Sequence, residues 1–212
     1  MKVSLPVIEA HEFDASDFIA GDAALDFVNT VTGRDGSPRD WLDSYARLVE
    51  WAGKARLLPA RTLRALARRA EREPAAAARA VARARNLRES LFELLSSLAA
   101  GRAPPARDLA TLRERWIAGA QAHELRFEHG RVAPALGADE LDLDLISDIV
   151  AWRIVEHVLP MPAERLRICH GPECSWLFID RSKAGRRRWC DMAVCGNAAK
   201  SRRFYARSRG RR

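Results

Sequence analysis

No cysteine occurs among the first 168 residues of this 212-residue chain, and all four lie in the last 44. Runs of about 18 consecutive apolar residues are also missing, so no transmembrane helix and no membrane partner are expected. The first twenty residues hold one strong base, Lys2, against Glu9, Glu12, Asp14 and Asp17, with no apolar stretch among them. That does not read as a secretory signal, so a cytoplasmic location is expected, where thiols stay reduced and favour metal over disulfide. Catalytic signatures are lacking too: there is no P-loop, no G-x-G-x-x-G after a strand, no G-x-S-x-G and no H-E-x-x-H. An enzyme is therefore not expected. No internal repeat of fixed period is found, and the arginine–alanine mixture from Ala60 to Arg88 reads as alternating helical faces.

Positive charge is plentiful but confined. From Met161 onward there are 14 Lys/Arg against 4 Asp/Glu, a net of +10, whereas the first 160 residues hold 22 against 24, a net of −2. A surplus gathered in one quarter of a chain points to a polyanionic partner for that quarter.

The first 160 residues read as mainly helical. Asp22 is placed to cap a helix whose apolar stripe is Ala24, Leu25, Phe27, Val28 and Val31. Tyr45, Leu48, Val49 and Ala52 form a second stripe, with Gly53 near its end. Pro59 suits the first turn of a third helix through Leu63, Leu66 and Ala67. A long alanine-rich helix spans Ala75–Leu98 and stops at Gly101, and Pro104-Pro105 opens another through Leu109, Leu112 and Trp116. Leu125, Phe127 and Val132 alternate around His129-Gly130, the pattern of a β-hairpin. Leu141–Leu159 returns to helix, with Leu145, Ile149, Trp152, Val155 and Leu159 on one side. Pro160 and Pro162 then mark a boundary between residues 1–160 and 161–212. Trp41, Trp51, Trp116 and Trp152 read as core or interface residues.

The cysteines form two equal pairs, Cys169-x4-Cys174 and Cys190-x4-Cys195, separated by fifteen residues. Two close pairs supply the four soft ligands of one closed, structural Zn2+ site, and a catalytic zinc would keep one position open. His170 is an alternative ligand. The C-x-x-C of a dithiol redox centre is absent. Trp176–Asp180 is β-prone, Arg186–Trp189 is placed to return as its partner strand, and Asn197 is placed to cap a helix through Lys200 and Phe204. The expected fold is thus mainly α with a small β-hairpin. A helical N-terminal domain precedes a treble-clef-like or ribbon-like four-cysteine zinc module, too small to fold without its metal.

Trp176–Ser182 (WLFIDRS), Arg187–Met192 (RRWCDM) and Cys195-Gly-Asn197, followed by Lys200 and Arg202-Arg203, resemble the CGNR zinc-finger proteins. Gly21–Thr30 (GDAALDFVNT) resembles the opening of the helical ABATE domain that accompanies this finger. The resemblance implies a bacterial, stress-related regulator of transcription, with RNA binding as the competing description. Position 198 holds Ala198 where the signature has arginine, which leaves the metal ligands intact and removes one candidate nucleic-acid contact.

Lys200, Arg203 and Arg207 share one helical face, Arg202 lies beside them, and Arg186, Arg187 and Arg188 form a second cluster. Arg209, Arg211 and Arg212 make a basic tail. Such permanent cations on a scaffold suit phosphate recognition, with DNA ahead of RNA. Phe204 and Tyr205 would stack on bases or, for Phe204, pack against the zinc core. Asp26, Asn29 and Thr30 are polar residues in an apolar helix. They read either as capping and one core polar cluster or as a pocket for a small-molecule effector, which Arg153 and His157 would face unless they form a salt bridge or an exposed face. A protein-interaction module with a structural zinc is a further reading, and the oligomeric state stays open, with a homodimer among the options.

Overall fold

The structure, a computed structural model, describes residues 6–137 and 142–209. Strand β1 (Val7–Ile8) leads through a 3-10 turn into helix α1 (Ala23–Val28). Asp22 caps α1 by accepting a hydrogen bond from the Ala24 amide at 2.9 Å. The helix ends sooner than its apolar stripe suggested. Asn29 is its C-cap, and Val31 enters strand β2 (Val31–Thr32) instead, pairing with β3 (Arg39–Asp40). β1 joins parallel to β3, giving the order β1-β3-β2. Two-residue strands carry no periodicity, so this sheet has no sequence signal.

Helix α2 (Tyr45–Lys54) is capped by Ser44 and buries Tyr45, Leu48, Trp51 and Ala52. Its end is a Schellman motif, in which the Leu57 amide bonds Ala52 O at 2.9 Å and the Arg56 amide bonds Gly53 O at 3.1 Å. The left-handed position after the cap, where glycine is usual, belongs to Arg56 with φ of 52°. Gly53 lies inside the helix instead. Helix α3 (Ala60–Arg72) follows Pro59, and Pro74 opens α4 (Pro74–Ala99). At 26 residues, α4 runs for about 39 Å. It is the spine of the molecule, packing against α1, α2, α3 and the elements that follow. Leu87, Leu91, Leu94 and Leu95 are completely buried along it. Gly101, with φ of 66°, stops it as expected.

Helix α5 (Ala106–Gln121) leads into the hairpin β4 (His123–Glu128) and β5 (Arg131–Leu136). His129 and Gly130 both have positive φ, 53° and 79°, the geometry of a two-residue type I′ turn. The hairpin therefore forms where its pattern places it, but its apolar face points outward: Leu125, Phe127 and Val132 are all exposed. Helix α6 (Leu145–Arg153) continues as a π-helical turn, Ile154–Val158. The wider turn shifts the buried face, so Ile154 and Val158 point inward while Leu159 is exposed. Strands β6 (Leu166–Ile168) and β7 (Leu177–Ile179) and helix α7 (Asn197–Arg209) complete the chain. One hydrophobic cluster runs from Phe13 through the helices to Leu177, Phe178 and the four cysteines.

Arg88 corrects the reading of the arginine–alanine helices as simple alternating faces. It is 1% exposed and donates twice to the Asp40 carboxylate, both at 2.7 Å, and to Thr30 Oγ1 at 3.1 Å. Although burial opposes it, those bonds keep the Asp40 carboxyl below its ordinary range.

Helices α5 and α6 approach closely at Gly119 of α5. A Cβ there would lie 2.3 Å from Asp148 O and 2.9 Å from Trp152 Cβ of α6. Gly119→Ala should therefore lower stability, by about 1–3 kcal/mol in chemical denaturation. An exposed helical glycine would instead gain up to about 1 kcal/mol from the same change, and such a gain would show that α5 and α6 do not approach this closely.

Candidate metal centre

β6 and β7 form the antiparallel pair of the cysteine segment, with Ile168 opposite Leu177 and Leu166 opposite Ile179. The strands thus flank the first cysteine loop. Arg186–Trp189, expected as the partner strand, is irregular. Its backbone is committed elsewhere: the Arg187 amide donates to Asp180 Oδ2 at 2.7 Å, and Arg188 O accepts from the His170 amide at 2.9 Å. Asn197 does not cap a helix. Asp191 does so one turn earlier, accepting from the Val194 amide at 2.8 Å and opening the π turn Met192–Gly196, and Asn197 continues in helical conformation.

All four cysteines are buried, and their sulfurs lie within 4.8 Å of one another. Cys174 and Cys190 sulfurs are 3.7 Å apart, and those of Cys190 and Cys195 3.6 Å. A sulfur–zinc distance of roughly 2.3 Å gives a tetrahedral edge of about 3.8 Å, whereas a disulfide would need roughly 2.05 Å. The quartet therefore fits zinc. Backbone amides of Gly171 and Cys190 each donate to Cys169 Sγ at 3.3 Å. Hydrogen bonds from Cys174 and Cys190 push the Cys169 thiol down to about 2, which favours the thiolate that a metal ligand must be. Gly171 is required by space, since a Cβ there would meet Cys195 Cβ at 2.7 Å and its sulfur at 2.8 Å. His170 is exposed and outside the quartet, so all four ligands are cysteine. One zinc ion held by Cys169, Cys174, Cys190 and Cys195 is structural, fixing two loops and the start of α7.

Asn29 joins this module to the helices. Its Nδ2 donates to Leu177 O and its Oδ1 accepts from the Leu177 amide, both at 2.9 Å. Next to it, the Ile179 amide donates to Ala20 O at 2.8 Å. Thr30 donates to Phe27 O and accepts from Arg88. Asn29 and Thr30 are thus engaged in these bonds, and of the three candidate pocket residues Asp26 borders a basin. Asp26 is 6% exposed and accepts from the Ala20 amide at 2.9 Å. Burial pushes its carboxyl up to about 7.

Among the basic candidates, Arg186 and Arg188 are exposed and border a cavity of about 370 Å³ with Arg167 and His170. Arg187 stacks its guanidinium 4.9 Å over the Phe178 ring and donates to Cys190 O, so it braces the loop. Lys200 and Arg202 are exposed on α7, where Arg202 meets Glu173 at 2.9 Å. Phe204 is 70% exposed, so it is not a core residue of the module. The side chains of Arg203, Tyr205, Arg207 and Arg209, and the residues Arg211 and Arg212, lie outside the described residues. Ala198 is exposed, so the missing arginine would have faced solvent.

Asp180 had no assigned role from its sequence. Completely buried, it accepts from the Ser182 and Arg187 amides at 2.9 and 2.7 Å. Against its burial, hydrogen bonds from Ser182 and Arg187 hold its carboxyl down to about 2. The Asp-x-Ser spacing is a turn signal that could have found it.

Zinc removal should free the loops and α7 but leave β7 clamped by Asn29. Chelation of the purified protein is expected to expose residues 180–199 to limited proteolysis with little loss of far-ultraviolet circular dichroism. An unchanged digestion pattern would contradict a structural zinc. For Asp26, the folded carboxyl holds its proton to higher pH than the unfolded one, whose ordinary value is 3.8. Its contribution is therefore present at low pH and lost as pH rises through about 7. Asp26→Asn should be more stable than wild type at pH 8, on the order of 2 kcal/mol, with little difference at pH 4, as read by urea denaturation.

Comparison with known families gives two matches. Residues 165–208 match the CGNR zinc finger. Residues 21–159 match ABATE, described as "putative stress-induced transcription regulator". No curated protein sequence matches the chain. With more than half of its length covered by the first of its two units in chain order, and its four-cysteine centre inside the second, the chain belongs to the ABATE family and carries a CGNR zinc finger.

Proposed function

We propose that the chain is a zinc-dependent, nucleic-acid-binding regulator of transcription that acts on DNA in preference to RNA. In this reading its helical part senses a ligand or partner, and it binds rather than catalyses. The observation that carries the reading is the pairing of surplus charge with a metal-held scaffold. Arg186 and Arg188 are exposed on a loop fixed by Asp180 and Cys190, and Lys200 and Arg202 are exposed on the helix that Cys195 anchors. A guanidinium on a fixed backbone binds phosphate bidentately with less ordering entropy to lose. The Arg202–Glu173 pair does not compete strongly, because both side chains are well exposed and such pairs contribute about 0–1 kcal/mol.

Arg187 is committed to the fold, which leaves six of the seven basic candidates for phosphate. Six contacts predict that log K falls with log salt at a slope of about −5 on duplex DNA. Fluorescence titrations of zinc-loaded protein with duplex DNA and with matched RNA test this. The double substitution Arg186→Ala, Arg188→Ala should flatten the DNA slope by about 2. A flat wild-type slope, or no binding at low salt, would sink the proposal.

Partner docking has one observation on its side. The outward face of the β4–β5 hairpin carries Leu125, Phe127 and Val132 at 77%, 74% and 61% exposure, and a contiguous apolar patch marks an interaction surface.

A further inference from the structure

A basin lies on the opposite edge of β7 from β6, where the helical part meets the zinc module. Its volume is about 600 Å³, within the range of small-molecule sites. Lys54 and Arg56 reach it from the end of α2, Arg153 and His157 from α6 and its π turn, and Arg181 from the residue pair after β7. Four permanent cations and a histidine from three separated stretches thus border one concavity. The acids there are Asp22 and Asp26. Asp22 is taken up by Arg153, at 2.7 and 3.2 Å, and by the cap of α1. Asp26 is buried, with its carboxyl raised to about 7. Positive charge is left in excess, and the side chains of Lys54 and Arg56 make no hydrogen bond or ion pair among the described residues.

Two local departures from regular backbone fall on this rim. Arg56 occupies a left-handed position at φ of 52°, where glycine would fit without strain, and among the described residues no hydrogen bond or ion pair of its side chain accounts for an arginine there. His157 sits in the π turn, a geometry concentrated at functional sites. Gly21 provides the close approach: at φ of 96° it passes Ile179, a Cβ there would meet Ile179 Cβ at 3.3 Å, and its carbonyl accepts from Arg181 at 2.8 Å.

We propose that this basin is a binding site for a small phosphate-bearing molecule, held by Lys54, Arg56, Arg153, His157 and Arg181. A net lining of several positive charges suits a di- or trianion better than a monocarboxylate. The acids in its wall, Asp22 and Asp26, oppose a continuous nucleic-acid backbone. Bound there, the molecule bridges α2, α6 and the zinc module. Arg181 follows Asp180, whose carboxylate fixes the amide of Arg187 beside the exposed arginines. Occupancy is thereby transmitted to the Arg186–Arg188 loop, a step that rests on the nucleic-acid reading above, while the binding site itself does not.

Isothermal calorimetry of the zinc-loaded full chain with inorganic pyrophosphate, and separately with ADP, at about 0.15 M salt tests the site. Saturable one-to-one binding is expected, with ADP distinguished as the better model of the ligand if it binds tenfold tighter than pyrophosphate. Lys54→Gln and Arg56→Gly should each weaken binding tenfold or more. Arg56→Gly should also raise the melting temperature by about 2 °C, since glycine relieves the left-handed backbone, so its loss of binding is not a loss of fold. Arg186→Ala with Arg188→Ala should leave anion affinity unchanged. Absence of saturable heat, equal affinity in the Lys54 and Arg56 variants, or an equal loss on removing Arg186 and Arg188 would each overturn the site. A protein that binds pyrophosphate in this way but ignores DNA and RNA keeps the site and rejects the nucleic-acid reading.

Discussion

The two hydrogen bonds between the Asn29 amide and the backbone of Leu177 join the parts of this molecule. β7 has β6 on one edge and would otherwise offer unpaired backbone groups on the other, inside the protein, where each unmade bond costs about 1–3 kcal/mol. An amide side chain is suited to the task because it carries a donor and an acceptor in one plane and so imitates a neighbouring strand. The Ala20 carbonyl extends this imitation to Ile179. The polar residue that interrupts the apolar stripe of α1 is thus the joint between the helices and the zinc module.

Zinc and the apolar core divide the work on the C-terminal segment. Leu166, Leu177, Phe178 and Ile179 are buried with the helices, so the strands are held by burial and by Asn29. The loops that carry the cysteines and the start of α7 are tied together by the four sulfurs. A comparable division occurs at Arg88 and Asp40. That ion pair is tolerated in the core because the guanidinium and the carboxylate satisfy each other and Thr30 and Leu42 take remaining positions. Breaking one partner would leave an uncompensated buried charge.

Much of this was legible in the chain itself. Helices longer than two turns announce themselves by period, and His129-Gly130 between alternating residues marks a hairpin. Two cysteine pairs define a soft tetrahedral donor set whatever lies around them. What was not legible has physical causes. Strands of two or three residues have no period to read, so β1, β2, β3 and β6 were invisible, and the pairing of β7 went to the wrong segment. A π turn changes register without changing composition, which exposed Leu159 and buried Ile154. Arg88 looks like any surface arginine of an alanine-rich helix until Asp40 is brought to it on a strand distant in the chain.

By itself the sequence determined the metal, its four ligands, the helical character of the first part and the concentration of positive charge in the last, because each depends on residue type and near-neighbour spacing. Only the tertiary structure decided that Asn29 and Thr30 are structural joints, that of three exposed arginines Arg187 braces a loop against Phe178 and Cys190 O, and that Gly119 must be glycine. It also brought Lys54, Arg56, Arg153, His157 and Arg181 to one basin. These are outcomes of packing between segments far apart in the chain, where the free energy of a polar or charged group depends on which distant partner arrives beside it.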